Sequence, residues 1–274
     1  MDAAFPFVIP DPLPHRISPC PILEAILEIR FVTQESWNVL PGLLYSLIRG
    51  KYPDKRDLPL SHLPDEFRRR EPSFIHQPLV QFHSLDFIIQ FGPRVVSLVT
   101  KPDAYPGWQQ TRAELVWLLD ILKSAAFITE GERLGVRYID FFPRNIFPDL
   151  TIGAHVCGTP LDAPELTLTT AFHRPPLSGR LVLTNGALVQ RGETSASGSV
   201  MDIDVWASSL DFDLFTDGLA RIDDLHTLLK GVFFSLLKPE FLAKLKPTFH
   251  EPNPLPLTLT ASALDHQTGT DSGG

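Results

Sequence analysis

The residues whose types and spacing can do chemistry lie mainly in two charged, strand-like stretches. Residues 21–31 read PILEAILEIRF and residues 133–142 read RLGVRYIDFF. Side chains two apart on a strand share a face. Glu24, Glu28 and Arg30 therefore point one way, and Leu23, Ala25, Leu27, Ile29 and Phe31 the other. Laid antiparallel, the two stretches would set Glu24 and Glu28 against Arg133 and Arg137. Such cross-strand pairs contribute about 0.2–1 kcal/mol each. The structural expectation is a solvated sheet face, or a face shared with a second subunit. The functional one is a polar groove for a charged ligand or peptide, formed by Glu24, Glu28, Arg30, Arg133, Arg137 and His226.

The remaining chemistry is sparser. Asp202 and Asp204 share a strand face with Val200 and Trp206. Two such carboxylates hold Mg²⁺ only with a third ligand, and the spacing supplies none. Asp211 and Asp213 continue the acidic run and suit a helix cap. His226, in RIDDLHTLLKGVFF, borders an apolar helix face beside Leu225 and Leu229. It does proton transfer only if an acid or nucleophile lies near. Arg68, Arg69 and Arg70 follow Asp65 and Glu66. They form either a solvated loop or short helix with local ion pairs or an anion-binding patch. Tyr105-Pro106-Gly107-Trp108 opens a helix, whose free N–H groups attract anions. The chain has no GxSxG, HExxH, GxxxxGK[ST] or strand-following GxGxxG motif. Cys20 and Cys157 have no CxxC spacing. No catalytic residue, metal ligand or cofactor is assigned. Residues 192–198 (GETSASG) read as a hairpin loop.

Hydrophobic periodicity supplies the elements that must position these groups. Strands are predicted over 22–32, 79–90, 94–101 and 134–142, the middle two forming a hairpin around Phe91-Gly92-Pro93. Helices are predicted over 36–49 and 107–127. The order β-α-β-β-α-β is that of a ferredoxin-like half over residues 21–142. Residues 52–78 read as a long charged connection and 143–165 as a junction. Short strands follow over 166–172, 179–184, 188–191 and 199–207. Asn185-Gly186 between LVLT and ALVQ predicts a type I′ hairpin. A long helix over 214–237 follows, and 241–245 can restart it after Pro239. The second half, 166–249, is thus a β-meander with one covering helix. Residues 1–20 form a proline-rich extended arm laid over the surface, and 250–274 a flexible tail. The fold class is α+β, as one continuous sheet or two packed half-sheets.

Composition bounds the function. Acids outnumber bases 32 to 24, a net charge of -8. Such a chain repels a polyanion, so nucleic-acid binding requires a segregated basic patch. No stretch nears the roughly 20 apolar residues of a membrane span. Two cysteines without a framework, and no signal-peptide pattern, predict a reducing cytoplasm and no membrane partner.

PILEAILEIRF, the FIIQFG-x-x-VVSL hairpin, YPGW, RLGVRYIDFF and LHTLLKGVFFSLL together resemble a sporadically distributed bacterial protein family of about this length. The likeness spans about residues 19–246. No reaction, cofactor or catalytic residue is assigned to that family, so the resemblance implies a shared fold and no site. Its scattered distribution hints at mobile accessory genes, including defence or conflict modules. The expectation is a non-enzymatic cytoplasmic protein that binds another protein, a peptide or itself. It would act as a homodimer or as an accessory subunit. The alternatives are a hydrolase or nucleotide-processing enzyme with a charged cleft, and a nucleic-acid-binding subunit working through Arg68–Arg70.

Overall fold

A nine-stranded antiparallel sheet runs through the whole molecule. The computed structural model describes residues 5–102, 104–161, 164–191, 194–208 and 213–249. In chain order its main elements are β1 (Ile22–Val32), α1 (Leu40–Ile48), β2 (Asp54–Asp57), α2 (Asp65–Arg70), β3 (Val80–His83), β4 (Phe87–Gly92), β5 (Val95–Thr100), α3 (Trp108–Ala125) and β6 (Glu130–Phe142). There follow β7 (His155–Val156), β8 (Thr159–Pro160), β9 (Leu166–Arg174), β10 (Leu177–Arg191), β11 (Thr194–Ser208), α4 (Gly218–Leu236) and α5 (Pro239–Lys244). The sheet order is β2-β3-β4-β5-β1-β6-β11-β10-β9, and β7-β8 form a separate two-stranded hairpin. The pairing of β6 with both β1 and β11 makes the two halves of the chain one sheet.

Period-two alternation gives the sheet two unlike faces. Leu27, Val136, Val205 and Leu181 are buried on one, with Phe82 and Ile89 further along. The helices bring Leu44, Leu115, Leu122, Ile222, Leu225 and Val232 to the same core. Helix α4 contacts β6 and β11. The end of α1 is tied to α3 by Glu114, whose carboxylate accepts from Tyr52 Oη at 2.8 Å and Lys51 Nζ at 2.5 Å.

The arm is more than a surface strap. Its Phe5 and Phe7 meet the Phe172 ring edge-on at 5.9 and 5.0 Å. Ile9 fills the space above Gly231 on α4. His15 and Ser18 backbone N–H groups donate to Thr248 and Leu245 carbonyls at 2.6 and 2.7 Å. Apolar arm residues therefore complete the core, which polarity alone did not reveal among so many prolines.

Three local expectations are corrected. Residues 79–90 are two strands, because the Ser84 hydroxyl and backbone N–H both bond to Phe87 and turn the chain back. Residues 52–78 contain the edge strand β2, which was not expected, beside the short helix α2 that was one of the readings of Asp65–Arg70. Asn185-Gly186 is not a hairpin turn. It lies inside the continuous β10, at a register shift between Thr184 and Ala187. Gly186 has φ +73°, and a Cβ there would stand 2.7 Å from the Pro164 carbonyl oxygen. Asn185 donates through Nδ2 to that carbonyl at 3.1 Å and accepts from Ser199 Oγ at 3.0 Å. The pair is a bulge held by side-chain bonds. The β9–β10 hairpin turns instead at Pro175-Pro176. The expected 192–198 loop falls partly outside the described residues, as do Asp211 and the 250–274 tail.

Asn185 is buried, so Asn185→Ala should lower stability by about 1–3 kcal/mol, the cost of leaving buried polar groups unmatched. Urea unfolding checks this; an unchanged midpoint would show that the bulge does not need the side chain.

Candidate functional site

The polar face of the sheet gathers most of the residues singled out by spacing. Glu28 and Arg133 do meet across the β1–β6 ladder, but not as directly opposed residues. Across the β1–β6 ladder Glu24 faces Ile139, Glu28 faces Gly135, and Arg30 faces Arg133. Two arginines directly opposite would repel. Arg133 escapes by laying its guanidinium over Gly135, where any Cβ would collide with it. There it donates to Glu28 Oε1 at 2.5 Å and to both Asp204 oxygens at 2.8 and 2.9 Å. The Trp206 ring lies 5.0 Å from it. Arg137 makes a two-point pair with Asp202 at 2.8 and 2.6 Å, and Arg30 Nε bonds Glu28 at 2.7 Å. Burial raises the Glu24 carboxyl above its usual range, against the opposing pull of Arg137. The guanidinium groups of Arg30, Arg133 and Arg137 are all engaged by carboxylates of this face. The network is self-satisfied, which suits a structural ladder better than a ligand groove.

The other candidates do not join it. His226 sits on α4, on the opposite side of the sheet, so the six-residue groove does not assemble. The arginine run does not form one patch either. Helical residues one apart diverge by about 100°. Arg68 turns inward, with its side chain 11% exposed and Asp65 at 3.5 Å, while Arg70 is exposed. The Arg69 side chain lies outside the described set. Among the described residues no cluster of three His, Cys, Asp or Glu can hold a metal ion.

A different site lies on the helix side. The arm, the start of α3, the end of β6 and the middle of α4 frame a cavity of ≈ 530 Å³ that opens to solvent. A bulge in β1 helps to shape it. The β1–β6 register shifts between Ile22 and Glu24, which sets Ile22 beside Asp140 while Glu24 stays on the polar face. Ile22, Tyr105, Trp108, Tyr138, Leu229 and Phe233 provide apolar wall. The Tyr105 and Tyr138 hydroxyls share a hydrogen bond of 2.9 Å. Trp108 stacks on His226 with centroids 3.8 Å apart and planes 3° from parallel. The α3 N-terminus at Gly107, with φ 100°, has no side-chain cap.

The titratable groups here are displaced by desolvation. Burial, and then the Lys230 charge, push the His226 imidazole down to about 3, so it stays neutral. Burial lowers the Lys230 ammonium as well. Burial raises the Tyr105 hydroxyl to about 12. The sharpest case is Asp140, only 1% exposed. Burial, and then the Asp202 charge beyond the sheet, raise its carboxyl to about 8. Its Oδ2 has no hydrogen-bond partner among the described residues.

Spacing had drawn attention to Tyr105, Trp108 and His226 one at a time. Asp140, Tyr138 and Lys230 were missed, although one signal was present. Leu134, Val136, Tyr138 and Asp140 share a strand parity, so Asp140 is an acid on an apolar face. No family model matches this chain, and comparison with curated proteins finds no match.

Asp140 links stability to pH. Its folded pKa lies above the ordinary unfolded value of about 3.9. From about pH 4 to pH 8 the folded chain keeps a proton that the unfolded chain has lost, so this group's contribution to stability falls as pH rises. Asp140→Asn should therefore gain stability over the parent as pH goes from 4.5 to 8, by urea midpoints at each pH. A gap that stays constant would show that Asp140 ionises normally.

Proposed function

We propose that this chain is a binding protein without a reaction of its own, and that its recognition site is the cavity between the arm, α3, β6 and α4. The observation that carries this reading is buried Asp140 among apolar walls, its Oδ2 without a hydrogen-bond partner among the described residues. Sites of this size, mostly apolar with a few convergent polar groups, are where small ligands bind. Displaced titrations in a cavity also mark function more often than structure. Neutral His226 stacks on a ring, and among the described residues no nucleophile is hydrogen-bonded to it, so the groups favour holding a ligand over transforming one. The setting is that expected from the sequence, an accessory protein of the cytoplasm. The β6-β1-β5-β4 order with α1 and α3 supports a ferredoxin-like unit, and the contact of α4 with β6 and β11 supports a covering helix.

The cavity should take up N-phenyl-1-naphthylamine, a neutral apolar fluorophore, saturably and with one site per chain. Ile22→Trp, which places bulk at a partly exposed wall position, should abolish the saturable signal while retaining the thermal midpoint. Equal uptake by the two proteins would refute the cavity as the site.

A second reading, binding through a sheet edge, rests on the contrast between the two edges. Edge β2 is the sequence DKRD, fully exposed and laced by Arg56–Asp54 and Lys55–Asp57 pairs. Charges of this kind block strand addition. Edge β9, LTLTTAFHR, has no charge before Arg174 and alternates threonines outward. It suits β-augmentation by a partner or by a second copy. Sedimentation at micromolar concentration should give a dimer, converted to monomer by Thr167→Lys with Thr169→Lys. A parent protein that stays monomeric would remove the self-pairing reading.

A further inference from the structure

The chemistry of the cavity narrows the ligand class, given the reading that the cavity is the recognition site. Asp140 stands at the end of β6 among the residues that line the cavity, and its burial is nearly complete. An acid in such a place normally has a cation or several donors, because desolvation penalises the bare charge. Among the described residues neither reaches its Oδ2. The influences on Asp140 are burial and a second carboxylate, Asp202, and no cation offsets them. One acceptor oxygen is therefore left unmatched among the described residues, beside a cavity whose walls include Tyr105, Trp108, Tyr138, Phe233 and Phe234. Ring faces carry negative electrostatic potential and attract cations. Tyr105 and Tyr138 meet edge-on at 5.5 Å, and Trp108 stands at the start of α3.

We propose that the cavity binds a small organic amine with an aryl or branched apolar arm, its ammonium pairing with the Asp140 carboxylate and its arm packing among Tyr105, Trp108 and Leu229. The ammonium supplies a partner for the unmatched oxygen, and the aromatic walls replace part of its hydration. An anionic ligand gains less. It would leave Asp140 as a neutral acid with a single hydrogen bond to offer, and would face ring surfaces of its own sign. The opposing features are cationic. Arg16 and His15 lie exposed on the arm, where solvent screens them, and Lys230 is partly buried on α4. The uncapped α3 N-terminus also favours anions. These make an isosteric acid the proper rival in the test.

Proton linkage separates the two. A carboxyl held up near 8 is mostly protonated at pH 7. An ammonium must displace that proton, so its affinity should rise about tenfold from pH 6 to pH 7 and level off above 8. An acid that depends on the protonated form should weaken over the same range. The titratable and charged groups around Asp140 are His15, Arg16 and Cys20 on the arm, Tyr105 before α3, Tyr138 on β6, and His226 and Lys230 on α4, with Asp202 of β11 behind the sheet; burial lowers Lys230. Cys20 and both tyrosines are raised and His226 is lowered, away from that window.

The test is titration calorimetry of the full chain with 2-phenylethylamine, 3-phenylpropanoate and 3-phenylpropan-1-ol at pH 6, 7 and 8. The amine should bind at least tenfold more tightly than the other two at pH 8. It should release nearly one proton at pH 7, read from buffers of different ionisation enthalpy. Asp140→Asn should lose at least tenfold in amine affinity and the pH slope with it, while remaining folded by circular dichroism. Preference for the propanoate, or amine binding untouched by Asp140→Asn, would overturn the assignment of the ligand class. If none of the three binds but N-phenyl-1-naphthylamine still does, the amine assignment fails and the cavity reading stands. If the fluorophore is not bound either, the cavity reading itself fails.

Discussion

The side-chain alternation of β6 is the constraint on which the rest of the molecule depends. This strand pairs with β1 on one side and β11 on the other, so it joins the two halves of the chain. Its odd-numbered residues Arg133 and Arg137 enter the polar face. Its even-numbered residues Leu134, Val136, Tyr138 and Asp140 enter the core and cavity. A one-residue slip would place two guanidinium groups in the core and an apolar row in water. The ion-pair network and the hydrophobic core thus enforce the same register from opposite sides.

The two faces use charge differently. On the polar face carboxylates and guanidinium groups are matched within the protein. Partly exposed pairs of this kind contribute little singly, but they exclude other registers by leaving charges unpaired. Gly135 belongs to this arrangement, because its missing side chain is the space that Arg133 crosses. On the helix side Glu114 is matched by Lys51 and Tyr52, whereas the Oδ2 of buried Asp140 has no hydrogen-bond partner among the described residues, and the energetic cost of ionising it is correspondingly large. A network closed on itself stabilises a sheet.

The cavity owes its existence to chain segments remote from one another. The arm supplies one wall, and it is fixed by backbone bonds to residues near 245–248 and by Phe5, Phe7 and Ile9 in the core. The start of α3 supplies a second wall and α4 a third. The register shift in β1 turns Ile22 toward Asp140. Each of these is local and modest, yet the volume they frame is a property of none of them alone.

Much of the architecture was legible in residue order. The alternation in residues 22–32 and 134–142 marked β1 and β6 with their inward sets, and the leucine spacing marked α3 and α4. The charged face was legible too, because period two is an intrinsic property of extended backbone. Partner choice was not. Glu28 faces Gly135 rather than an arginine, since register depends on bulges and on the whole ladder. Asn185-Gly186 has the local chemistry of a turn, but Ser199 and the Pro164 carbonyl, remote in sequence, hold it as a bulge. The site illustrates the same division. Strand parity alone put Asp140 on an apolar face and helix periodicity put His226 at the border of one. Only the packing of arm, α3, β6 and α4 brought them to a common cavity, because desolvation and enclosure arise from neighbours that sequence distance does not reveal.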